Sequence, residues 1–104
     1  MTKRSGPLAG RELVDAVVRG MLERRADNIA VYRVDTLPAL CDWCVICSGS
    51  VPVHCRAIAQ FIVGTLASHG TTPVYREGLE AGRLALIDYT DVVVHIMLPQ
   101  IREY

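Results

Sequence analysis

A chain of 104 residues with eleven Lys and Arg against eleven Asp and Glu fits one domain and excludes a second independent core. Its zero formal net charge supplies no general field toward nucleic-acid phosphates or anionic lipid, so any contact with a nucleoprotein is expected to run through protein rather than through sequence-specific nucleic acid. The apolar runs are broken by Gly, Asp, Arg or His well short of the roughly 18–20 residues that cross a bilayer, and no membrane partner is expected.

The opening Met1-Thr2-Lys3-Arg4-Ser5-Gly6-Pro7 carries basic residues but no apolar h-region or small-residue cleavage pattern. A soluble cytoplasmic protein is expected, with residues 1–9 a flexible lead-in and residues 10–104 the single domain. From Gly10 to Arg25, Leu13, Val14, Val17, Val18, Met21 and Leu22 recur at helical spacing opposite Arg11, Glu12, Asp15, Arg19, Glu23 and Arg24, which predicts a surface helix with one buried stripe. After the Ala26-Asp27-Asn28 break, Ile29–Val34 reads as a strand. Asp35–Leu40 reads as a connection, since Pro38 lacks an amide donor and biases Leu37 away from helix. Trp43–Cys47 then reads as a nearly uncharged central strand covered on both faces.

Ser50 is placed to cap a second helix with Pro52 in its first turn. Ile58, Phe61, Ile62, Thr65 and Leu66 mark its buried face, and Gly70 terminates it as a left-handed cap residue. Pro73–Arg76 reads as a short edge strand because of its proline. The Gly-punctuated loop Glu77–Gly82 leads to a hairpin of Arg83–Tyr89 and Val92–Leu98 around an Asp-Tyr-Thr-Asp turn. Helix, two strands, helix and three strands predict an α/β fold, one mixed five-stranded sheet flanked by helices with the last two strands antiparallel.

Cys41, Cys44, Cys47 and Cys55 crowd one segment, unlike the spread cysteines of a small secreted framework, and read as reduced thiols. Their spacing superficially resembles a metal ligand set. In an extended segment, however, residues three apart lie roughly 10 Å apart and point to opposite faces. No metal is expected, and the thiols read as buried and unligated.

Alternation along Arg83–Tyr89 puts Leu84, Leu86 and Asp88 on one face and Ala85, Ile87 and Tyr89 on the other. Leu84, Leu86 and Asp88 are the candidate contact stripe for a partner protein, with Tyr89 and Asp91 contributing from the turn. Leucines beside carboxylates suit a partner patch with apolar ground and Arg or Lys at its rim. The plain alternative is that both leucines are sheet core and both aspartates solvated turn residues. His95, flanked by hydrophobes, reads as a hydrogen-bonded structural imidazole rather than a base. His54 and Cys55 are adjacent on a helix and so do not face each other as a nucleophile pair would.

Four pieces in this order resemble the ribosomal silencing factor family, known as RsfS or Iojap: Asp42-Trp43-Cys44-Val45-Ile46-Cys47-Ser48-Gly49-Ser50, Ala57-Ile58-Ala59, Glu77-Gly78, and Leu86-Ile87-Asp88-Tyr89-Thr90-Asp91-Val92-Val93-Val94-His95. The resemblance runs from about Leu13 to Tyr104. It implies a nucleotidyltransferase-like α/β sandwich without catalysis or cofactor. The implied partner is a ribosomal protein on the subunit-joining face of the large ribosomal subunit, and the implied action is to block the small subunit and lower translation when nutrients are short. Self-association as a homodimer is also implied. Family members usually carry tryptophan where this chain has Leu84, and glycine where it has Thr90. Ile101-Arg102-Glu103-Tyr104 resembles the start of a tail that normally continues with leucines and aromatics, so the C-terminal tail reads as shortened.

Two other readings stay open. A nucleotidyltransferase-like enzyme would use Gly49-Ser50 with Asp88 and Asp91 around a metal-bound triphosphate, though these aspartates straddle a turn rather than converging from one strand face. A generic homodimeric adaptor would pair the same hydrophobic stripe with another copy of itself.

Overall fold

The computed structural model describes residues 7–34 and 41–102. Along the chain come α1 (Gly10–Glu23), β1 (Asp27–Arg33), β2 (Trp43–Ser48), α2 (Pro52–Ala67), β3 (Tyr75–Glu77), β4 (Leu84–Asp88), β5 (Val92–Met97) and α3 (Pro99–Arg102). This order agrees with the sequence reading except for α3, a single turn too short to carry a readable period. The connection expected over Asp35–Leu40 lies outside the described residues.

The strands form one sheet in the order β1-β2-β5-β4-β3. β2 and β5 run parallel while the other neighbours are antiparallel, so the sheet is mixed. β3 is an edge strand, where Pro73 led it to be expected. Both long helices lie over the same face, α1 against β2 and β5, α2 against β4 and β5. The fully buried apolar strand residues, Val45, Cys47, Ala85, Ile87, Val92, Val94 and Ile96, all point to that face. β2 is therefore interior to the sheet but helix-covered on one side only, contrary to the double cover expected of it. Its low charge has another cause: Cys44 and Ile46 on the uncovered face are half-buried by their neighbours within the sheet.

α1 buries Leu13, Val14, Val17, Gly20 and Met21, a stripe repeating every three to four residues. Val18 is half-buried and Leu22 is 62% exposed, because each lies one residue, about 100° of rotation, beyond the stripe. Gly20 lets α1 and α2 approach closely, since a Cβ there would stand 3.0 Å from Ile62 Cγ1. On α2 the buried residues are Cys55, Ile58, Ala59, Ile62 and Leu66, with Phe61 and Thr65 at the margin. Burying each leucine or isoleucine fully contributes about 1.5–3 kcal/mol of transfer free energy.

α2 has Pro52 in its first turn, as expected, but its cap residue is Val51 rather than Ser50. Among the described residues no side chain caps the first-turn amides of α2, and a histidine in that turn instead bonds back to the residue before the cap. The Ser50 N–H donates to His54 Nδ1 at 2.9 Å. With Nδ1 accepting, the ring proton sits on Nε2, which donates to the Arg24 carbonyl at 2.8 Å. One imidazole thereby joins the end of α1 to the start of α2. The helix ends at Ala67, and Gly70 follows at φ +77°, in agreement with the expected left-handed residue.

In the β4–β5 hairpin, Tyr89 N–H donates to the Val92 carbonyl at 2.9 Å. Thr90 holds φ +80°, a conformation that a β-branched residue adopts only under constraint. The constraint is Asp88, whose Oδ1 accepts the Thr90 N–H at 2.7 Å. Replacing Thr90 with Gly should raise the unfolding free energy by about 1 kcal/mol. Denaturant titration checks this, and an unchanged or lowered midpoint would contradict the strain.

Candidate functional site

With both long helices on one side, the opposite face of the sheet carries no helical cover from either of them. Strand register sets its rows. Tyr32, Cys44, Val93, Asp88 and Tyr75 lie across it in one line, and Ala30, Ile46, His95, Leu86 and Glu77 in the next. A third line holds Ser48, Met97 and Leu84. Leu84 is 45% exposed, and Tyr32 and Tyr75 are exposed at the two edges. Cys44, Ile46, Val93, His95, Met97, Leu86 and Asp88 are half-buried. At one end Arg102 of α3 donates to Ser48 Oγ at 3.2 Å.

Charge on the strand residues of this face has one sign, with Arg102 of α3 standing against Ser48 at the end of the face. Its carboxylates are Asp88 and Glu77 on the β3–β4 side, with Asp27 opposite Ser48 beyond a bulge in β1, and its strand residues include no Lys or Arg. An apolar ground with a carboxylate margin is the outcome, suited to a surface whose rim is basic.

Of the residues expected to form the contact stripe, Leu84, Leu86 and Asp88 stand together on this face. Tyr89 and Asp91 stand elsewhere. Tyr89 is 6% exposed and belongs to the core under the helices. Its hydroxyl has no hydrogen-bond partner among the described residues, and burial pushes it up to about 12. Asp91 is half-buried, with Oδ2 accepting the Gly10 N–H at 2.6 Å. That carboxylate sits at the positive end of α1, whose own cap residue Ala9 supplies no side-chain bond. The Asp91 carbonyl also accepts the N–H groups of Asp42 and Trp43 at 2.9 and 3.0 Å.

Strand pairing adds Cys44, Ile46, Val93, His95 and Met97 to the face, which reading β4 alone left out. The alternation of β5 was visible, but nothing in it says that β2 and β4 are its neighbours. His95 differs from expectation in one respect. Its imidazole makes no hydrogen bond among the described residues, and burial holds its pKa below the ordinary value. The strand geometry also separates the central cysteines, with Cys44 on the open face and Cys47 in the core.

The groups of the enzymatic alternative do not converge. Asp91 abuts Trp43 at the start of β2, whereas Gly49-Ser50 follow the end of that strand. Six residues of strand put roughly 20 Å between them. Gly49 is also closed off by α2, since a Cβ there would meet Cys55 Sγ at 2.6 Å.

A family model described as ribosomal silencing factor during starvation matches residues 7–104. The chain belongs to this family. A ribosomal silencing factor RsfS from Halalkalibacterium halodurans is 27% identical over 97 residues, covering 93% of this chain and 83% of that protein. The mouse protein named mitochondrial assembly of ribosomal large subunit protein 1 is 29% identical over 93 residues, 86% of this chain and 41% of the mouse protein. A crystal structure of a Chromobacterium violaceum protein matches with TM-score 0.88 at 27% identity, covering 93% of this chain and 81% of that one. The α/β fold and the silencing factor family thus agree.

In this silencing factor Asp91 and Tyr89 hold the hairpin in place behind the open face. Asp91→Ala should lower stability by about 1–2 kcal/mol through loss of the carboxylate at α1. Tyr89→Phe should leave stability unchanged or raise it, because it deletes an unpaired buried hydroxyl. Denaturant unfolding of both variants checks the pair, and a clear loss in Tyr89→Phe would show that the hydroxyl has a partner.

Proposed function

We propose that the protein acts by occupancy: the open sheet face docks on a ribosomal protein at the subunit-joining surface of the large ribosomal subunit, and the bound body keeps the small subunit from approaching. Translation falls when nutrients are short because fewer subunits join. The observation that carries this reading is the open face itself, with Leu84, Leu86 and Asp88 in line on an apolar, carboxylate-margined surface. Family membership and the name of the mouse relative support the large subunit as the particle bound. A partner patch of apolar ground and basic rim fits the sign of charge, which orients and speeds encounter.

No turnover is required of such a factor, and the separation of Gly49-Ser50 from Asp88 and Asp91 supports a non-enzymatic role. Steric competition needs only that concentration and affinity together exceed the joining tendency of the subunits. A second copy of the chain seated on the same face would have to leave before docking.

Leu84→Arg is the direct test. Leu84 is exposed and makes no hydrogen bond to the fold through its side chain, whereas Asp88 also holds the turn, so Leu84 separates docking from stability. The variant should keep its unfolding midpoint and lose co-sedimentation with purified large subunits by about tenfold or more, as loss of an anchor of at least about 1.4 kcal/mol requires. Unchanged co-sedimentation would remove this face from the interaction.

A further inference from the structure

His95 lies at the centre of the open face, and its imidazole makes no hydrogen bond among the described residues. Its neighbours in the row are Ile46 of β2 and Leu86 of β4, and along its own strand Val93 and Met97 flank it on the same face. In the free protein, water can satisfy the exposed edge of this half-buried ring. A docked partner excludes that water. An imidazole covered by apolar surface alone would then hold an unpaired donor and acceptor, at a cost of about 1–3 kcal/mol.

We propose that His95 is the polar specificity determinant of the docking face, its neutral imidazole hydrogen-bonded to an uncharged polar group of the docked protein, such as a main-chain carbonyl or a hydroxyl. The inference rests on the docking reading above. Apolar contacts around it supply area without register, since leucines and valines slide against a flat partner at little cost. A single buried polar pair fixes where the partner sits, because only one alignment satisfies both members. A carboxylate opposite His95 is disfavoured by the face itself, which already carries Asp88 and Glu77, with Asp27 beyond the bulge.

Acid should therefore weaken docking. Burial already disfavours the imidazolium in the free protein, and a neutral partner that excludes water disfavours it further, so docking releases a proton. Affinity is then full above the pKa of the free protein and falls as the pH drops through it. The other titratable or charged side chains on the face of His95 are Cys44 from β2, Asp88 from β4, Tyr75 and Glu77 from β3, Tyr32 and Asp27 from β1, and the permanently charged Arg102 of α3 against Ser48. Thiols, phenols and carboxylates ordinarily titrate outside the range between about pH 5.5 and 7.5 in which histidine changes charge.

The test is binding of the full chain to purified large ribosomal subunits, for the unmodified protein, Leu84→Arg, His95→Leu and His95→Gln, from about pH 7.5 to about pH 5.5. The unmodified protein should lose affinity severalfold on acidification. His95→Gln, polar but not titratable, should bind within a few-fold of it at the upper pH and lose that response. His95→Leu should bind about fivefold or more weakly at the upper pH, the change that an unpaired partner group produces. Should His95→Leu fail to fold, the pH profile of His95→Gln decides alone. Equal or tighter binding by His95→Leu, or a His95→Gln profile that follows the unmodified protein, would overturn the assignment. Tighter binding in acid that needs His95 would do so too, since it requires a carboxylate partner. If the unmodified protein does not bind, or Leu84→Arg binds as well as it does, the docking reading itself falls, and that outcome is seen before any His95 variant is compared.

Discussion

The arrangement of this protein depends on a shortage of cover. A five-stranded sheet has two faces, and both long helices pack on one of them. Covering that face consumes the strongly apolar side chains, Val45, Ile87, Val92, Val94 and Ile96, together with the stripes of α1 and α2. The other face must then be stable in water while still carrying enough apolar surface for the strands to pair. Half-buried cysteine, valine, isoleucine, methionine and leucine side chains, edged by tyrosines and carboxylates, satisfy both demands. A surface built under that compromise is suited to a protein partner.

The hairpin between β4 and β5 shows how support and presentation divide within a few residues. Asp88 faces outward yet bonds back to Thr90, Tyr89 turns inward, and Asp91 reaches the start of α1. The contact between Asp91 and Gly10 spans 81 positions of sequence, and with the Asp91 carbonyl it gathers α1, β2 and the hairpin at one corner. His54 forms the counterpart at the opposite corner, linking Ser50 to Arg24. The two corners orient α1 and α2 on the sheet, and the face on the far side is presented as a consequence.

Family membership places these features in context without replacing them. At 27% identity to a relative covered over 83% of its length, most side chains differ, while the fold is kept at a TM-score of 0.88 to a crystal structure of similar identity. Under the proposed steric action, what has to be preserved is a body of a given shape and one face of complementary character.

Periodicity and punctuation in the sequence determined the order of elements. Helical spacing from Leu13 to Met21, the Pro52 start, the Gly70 stop and the alternation from Leu84 to Leu98 depend on neighbours within a few residues, so they were legible without a fold. So was the grouping of Leu84, Leu86 and Asp88, which a strand imposes by itself. Tertiary structure decided which strands are neighbours, and with that it decided that β2 has helices on one side only. It also made His95 central rather than hydrogen-bonded and gave Asp91 to a helix far along the chain. Those outcomes come from contacts between distant segments, whose geometry depends on how the layers stack, and no local pattern of residue types encodes it.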